Sequence, residues 1–189
     1  DMMKLQMEST LKNHFEKEKR LKDKGIKVLT LFFIDRVANY RDYENGNTIK
    51  GKLALWFEEL YKKLQTQSEF KGILGYPVEK VHNGYFAQDK KGNWKDSREG
   101  SDSQDDDSAY HLIMRDKERL LDINEPLRFI FTHSALREGW DNPNVFQICT
   151  LNETQSTLKK RQEIGRGLRL PVNQDGQRIF DESINILTV

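Results

Sequence analysis

One cysteine, four prolines and no apolar run long enough to cross a bilayer set the first limits on this 189-residue chain. A single Cys149 excludes an internal disulfide framework. It sits in the apolar run 145–151, which predicts a small buried hydrophobe rather than a ligand or nucleophile. The N-terminus lacks the basic-then-apolar pattern of a signal peptide, so a reducing cytoplasm is the expected location, and Asn152-Glu153-Thr154 reads as a chance sequon. Charge of one sign is also absent, because 31 basic residues face 30 acidic ones and leave a net charge of +1. No global field attracts a polyanion, and any nucleic-acid contact must come from local patches.

The length suits one core rather than two independent ones. Residues 2–24 carry Met3, Met7, Leu11 and Phe15 among Lys and Glu, a helical stripe that Gly25 should end. Residues 26–34 (IKVLTLFFI) are almost continuously apolar, as a strand covered on both faces requires. A helix over 53–64 and a short strand over 81–88, entering a hairpin-like region, follow. The composition of 89–108 collapses to Lys, Asp, Gly, Ser and Gln, which predicts a mobile surface insertion. Its Asp105-Asp106-Asp107 cluster lacks a Gly-punctuated ligand loop, so no metal site is expected there. A helix over 109–121, strands over 127–132 and 145–151, a helix over about 157–168 and a strand over 184–189 complete the series. Strands alternating with helices indicate an α/β fold with a mostly parallel sheet and helices on both faces. Because the series stops inside an apolar strand, an excised or truncated piece of a longer chain is expected.

Two stretches carry chemistry. In Lys159–Leu170 (KKRQEIGRGLRL), Gln162, Arg166 and Arg169 are spaced i, i+4 and i+7 and share one helical face, with Ile164 and Leu168 on the other. Gly165 and Gly167 each cost about 1 kcal/mol of helix propensity, which suggests close approach of a ligand or another backbone. Guanidinium forks suit phosphate, and an Arg pair aimed at a γ-phosphate would stabilise charge developing in phosphoryl transfer. A solvated basic helix is the plain alternative. The second stretch, Thr132–Pro143 (THSALREGWDNP), follows an apolar strand, where α/β sheets gather ligands. Asp141 could accept from a ribose hydroxyl, and Thr132, His133 and Ser134 could meet a phosphate backbone. Read structurally, Asp141-Asn142-Pro143 is an ordinary turn, Gly139 ends a helical turn, and Trp140 belongs to a core.

Together these stretches resemble motifs V and VI of superfamily-two helicases. Gln162, Gly165, Arg166 and Arg169 match the Gln-x-x-Gly-Arg-x-x-Arg of motif VI, Gly139 and Asp141 align with motif V, and 26–34 resembles motif IV. The wording FIDRVANYRDY, VHNGYFAQDKKG, RFIFTHSALREGWDNPNVFQICTLNET and KKRQEIGRGLRLPVNQ is similar to the restriction subunit of type III restriction enzymes. The resemblance implies a second RecA-like lobe spanning 1–189, with Arg166 and Arg169 as fingers reaching the γ-phosphate. Gln162 would order the ATP cleft, Asp141 would hold the ribose, and Thr132 and Ser134 would contact the DNA backbone. ATP and Mg²⁺ would be bound mainly by a first lobe of the same chain. A nuclease domain, double-stranded DNA and a separate modification methyltransferase are the implied partners.

What the chain lacks limits that reading. Residues 46–52 (GNTIKGK) match seven positions of a P-loop, but Leu53 replaces the Ser or Thr whose hydroxyl would bind Mg²⁺, and no apolar strand leads in. No acidic pair at a strand end and no nuclease cluster is present. The isolated chain is therefore expected neither to hydrolyse ATP nor to cut DNA. A non-catalytic DNA- or protein-binding lobe, or a lobe of a repair or remodelling helicase, remains an alternative.

Overall fold

The computed structural model describes residues 1–44, 47–86, 111–133, 142–151, 164–165 and 169–189. Its first helix, α1 (Met2–Leu21), begins where Asp1 accepts the Met3 amide at 3.0 Å. A 3₁₀ turn over 22–24 closes it on Gly25, whose φ of 66° is left-handed and favours glycine. The stripe Met7, Leu11 and Phe15 is fully buried, as the helical spacing predicts.

Next come β1 (Leu29–Ile34), a two-stranded ribbon of β2 (Arg41–Glu44) and β3 (Asn47–Lys50), and α2 (Lys52–Thr66). A short helix α3 (Val78–Val81) leads into β4 (His82–Tyr85). Then follow a π-helical turn at His111–Arg115, α4 (Lys117–Leu121), β5 (Phe129–Thr132) and β6 (Val145–Leu151). Four strands form one parallel sheet in the order β4-β5-β1-β6.

Central strand β1 is buried at every residue, and its side chains alternate between two cores. Phe32 and Ile34 join α1 and α2 around Phe57, Phe129, Phe131 and Leu151. Leu29, Leu31 and Phe33 join Ile113, Leu120, Ile130 and Ile148 on the other face. The chain is thus a RecA-like α/β lobe, a parallel sheet with helices on both faces. Continuous apolarity in the sequence had this cause.

Three elements differ from the sequence expectation. The polar stretch after β1 holds the β2–β3 ribbon, whose Asn47–Lys50 strand is exposed throughout; with no buried face there is no apolar alternation to read. Residues 82–85 pair parallel with β5, and the hairpin-like region expected to follow them lies outside the described residues. The helix expected over 109–121 is divided at Asp116, which caps α4 by accepting the Arg119 amide at 3.3 Å. The strand expected over 184–189 is reduced to a bridge between Thr188 and Gln147, with Ile148 N–H donating to Thr188 O at 2.9 Å and Thr188 N–H to Phe146 O at 3.0 Å. The expected insertion at 89–108 lies outside the described residues, as does the helix expected over 157–168 except for Ile164 and Gly165.

Polar side chains tie the layers at the amino ends of the strands. Arg128, 2% exposed, donates from Nε to Glu18 at 2.8 Å and from its two terminal nitrogens to the carbonyls of Ile123, Glu125 and Pro126. His14 bonds Thr30 at 2.7 Å and lies 3.5 Å from Glu18, while the Gln147 amide donates to Thr10 O and Thr30. Lys27 donates to Glu125 O at 2.7 Å.

Candidate nucleotide and nucleic-acid interface

Strand β5 delivers Thr132 and His133 to the carboxyl end of the sheet, at the level of Phe33 and Tyr85. Thr132 is fully buried and its hydroxyl has no partner among the described residues; His133 is half-buried. Ser134, Gly139 and Asp141 lie outside the described residues.

The chain is described again at Asn142 and Asn144, both fully buried. Asn142 Oδ1 accepts the Asn144 amide at 3.0 Å, the side-chain-closed turn that Asx residues make. The Asn144 carbonyl accepts Leu29 N–H at 2.9 Å and so starts β6 against β1. Its side chain reaches in the other direction, where Nδ2 donates to Val172 O at 3.1 Å and Oδ1 accepts Val172 N–H at 2.9 Å.

Of the arginine-rich block, Ile164, Gly165 and Arg169 are described, whereas Gln162 and Arg166 are not. Ile164 lines a groove of about 380 Å³ beside Ile148, Cys149 and Thr150. Arg169 is exposed and lines another of about 240 Å³ beside Pro143, Val145 and Phe146. Ile164 therefore sits by the carboxyl half of β6 and Arg169 by its amino half. Thr132 aligns through Phe33 with Thr150, at the carboxyl half. The structure does not bring Arg169 and Thr132 together. Among the described residues no backbone crowds Gly165, where a Cβ would meet nothing within 4 Å. Among the described residues no group of three His, Cys, Asp or Glu side chains could hold a metal.

The described residues 47–52 do not build a phosphate cradle. Their Asn47–Lys50 segment is the outer strand of the ribbon, and Gly51 precedes α2 because a Cβ there would stand 2.3 Å from Ala38 O and 2.4 Å from Asn39. Lys52 lies over the Trp56 ring at 5.4 Å. Glycine serves chain packing here, as the missing hydroxyl at Leu53 had suggested.

Burial governs the titrating groups. It pushes the Cys149 thiol up to about 11, leaving it a structural hydrophobe rather than a nucleophile, as its sequence position predicts. Burial also lowers His82 to about 4, although Glu58 opposes the shift from 3.3 Å; Tyr40 and Lys50 complete that chain at 2.8 and 2.6 Å. Lys27 falls to about 7 by burial, with the Arg128 charge adding to it. Sequence reading missed Asn144 and both buried polar networks, since a lone Asn or His carries no signal of a partner far away in the chain.

No family model matches the chain. Curated relatives do. The Res subunit of the type III restriction-modification enzyme EcoP15I from Escherichia coli is 43% identical over 193 aligned residues, covering 95% of this chain and 19% of the relative. The EcoPI Res subunit of Escherichia phage P1 is 42% identical with the same coverage. The StyLTI Res subunit of Salmonella typhimurium is 38% identical over 83% of this chain and 17% of the relative. The chain spans about a fifth of the length of these relatives. With a parallel α/β lobe and a match along most of its length, the chain is similar to one part of the Res subunits of type III restriction-modification enzymes.

Proposed function

We propose that this chain is the second motor lobe of an ATP-dependent, DNA-translocating Res subunit of a type III restriction endonuclease. The observation that carries the reading is the match to three Res subunits along most of the chain. An exposed Arg169 beside a surface groove supports it, because a guanidinium so placed can meet a phosphate held by a facing lobe. In this reading ATP, held with Mg²⁺ mainly by the first lobe, supplies the phosphoryl group whose transfer to water drives movement. Arg166 and Arg169 stabilise the charge that develops on it, Asp141 holds the ribose, and Gln162, Gly139 and Gly165 shape the cleft. His133 and Ser134 contact the DNA backbone and carry no sequence information, while Thr132, expected in the same contact, is fully buried at the end of β5. The first lobe and nuclease domain belong to the same longer chain, and a modification methyltransferase reads the site.

The test is Arg166→Ala in a full-length Res subunit assembled with its methyltransferase. DNA binding should persist while DNA-stimulated ATP hydrolysis falls by about 10³, the usual effect of losing an arginine finger. Near-wild-type turnover would remove the finger assignment. The isolated chain should hydrolyse no ATP, and activity abolished by Lys52→Ala would show a working P-loop where none is expected.

A further inference from the structure

We infer that Asn144 is a positioning residue that fixes Arg169 relative to the start of β6; the inference rests on the motor reading above. Asn144 lies three residues after Asp141, and Val172 lies three residues after Arg169. Between Asn144 and Val172 the carboxamide makes two hydrogen bonds to one residue's peptide groups, 2.9 Å to Val172 N–H and 3.1 Å to Val172 O. A side chain thus takes the place of a β-bridge and joins the exits of both blocks.

Both sides of this clamp are themselves held. Asn144 is fully buried, its own amide is closed on Asn142, and its carbonyl enters the central sheet through Leu29. Val172 bridges Arg178 across a tight turn that contains Gly176 at φ 74°. The turn is tied to the body where Gln174 accepts Ile123 N–H at 2.9 Å and donates to Leu121 O at 3.0 Å, and Ile179 N–H donates to Pro171 O at 2.9 Å. Pro171, buried, leaves little freedom between the clamp and Arg169. Three residues of extended chain reach at most about 11 Å, so the clamp at Val172 holds the Arg169 backbone within that distance of a fixed point.

Displacement of a charge-stabilising group by about 1 Å can cost 10²-fold in rate. In a full-length Res subunit with its methyltransferase, Asn144→Ala should therefore lower kcat for DNA-stimulated ATP hydrolysis by about 10- to 100-fold, leave KM for ATP within about threefold, and speed hydrogen exchange at the Val172 amide. In an Arg169→Ala background the same change should add nothing, because its effect runs through that guanidinium. A general loss of structure would instead multiply the two defects, and that result overturns the inference. If the alanine variant does not fold, Asn144→Asp is read in the same way, since it keeps shape and acceptor but sets an oxygen against Val172 O. Wild-type turnover in Asn144→Ala beside a defective Arg169→Ala overturns the clamp alone. Wild-type turnover in Arg169→Ala overturns the clamp and the finger reading together.

Discussion

Replacing Arg128 by Met removes a buried charge while keeping an unbranched apolar stem of similar reach. Arg128 is 2% exposed and Glu18, its partner at 2.8 Å, is 1% exposed. Burial opposes the Glu18 charge, yet His14 and Arg128 hold its carboxyl below the usual range. Of the three carbonyls that Arg128 serves, Ile123 O still receives the Tyr76 hydroxyl and Glu125 O still receives Lys27, so Pro126 O alone loses its described partner. The main cost is then the stranded Glu18 carboxylate. Removing one partner of a buried pair costs about 3–5 kcal/mol, so a loss of about 4 kcal/mol is expected for Arg128→Met. At about 2–4 °C per kcal/mol in a domain of this size, Tm should fall by about 8–16 °C. Glu18→Gln combined with Arg128→Met relieves the stranded charge and should recover more than half of that loss. Urea and thermal unfolding of the four members of the cycle measure it. A fall of less than about 3 °C in Arg128→Met, or a double variant no more stable than the single one, would refute the reasoning.

Acid should destabilise the lobe through His82. Its folded pKa of about 4 lies below the ordinary 6.5, so the unfolded chain takes up a proton between these values and the folded one does not. The stability contributed is fully present above pH 6.5 and is lost as pH falls to 4, about 3 kcal/mol in all at about 1.4 kcal/mol per unit. His82→Gln should flatten that part of the urea-derived stability profile relative to wild type, and an unchanged slope would show that His82 does not carry it. Gly51→Ala should cost about 1–3 kcal/mol, since the backbone atoms of Ala38 and Asn39 cannot yield to a Cβ at 2.3–2.4 Å. Gly75→Ala, with open space around it, is the control and should be neutral.

The layers were legible because strand burial on two faces writes a strong signal. Leu29–Ile34 and Val145–Leu151 each read as covered strands, and the Met7-Leu11-Phe15 stripe placed α1. The ribbon at 41–50 was not legible, because a two-stranded element in solvent needs no apolar period. Parallel pairing of β4 with β5 was equally hidden, since it joins residues more than forty positions apart through backbone groups that are the same for every side chain. At the site, the residue types suited to phosphate could be named from spacing alone. Their spatial relation could not: Arg169 shares a groove with Val145 and Phe146 rather than with Thr132, and the Asn144–Val172 clamp joins residues 28 apart. Thr132 shows the same limit, for its hydroxyl, expected on DNA, is buried without a partner among the described residues.

The role of Arg169 is measured most directly by single-turnover ATP hydrolysis on DNA with a full-length Res subunit and its methyltransferase. A parallel titration with a fluorescent ATP analogue separates binding from chemistry. Arg169→Ala should retain ATP binding within about tenfold and lose about 10³ in the hydrolysis step, with DNA binding intact. Hydrolysis at the wild-type rate in that variant would contradict the assignment of this chain as the arginine-finger side of the motor.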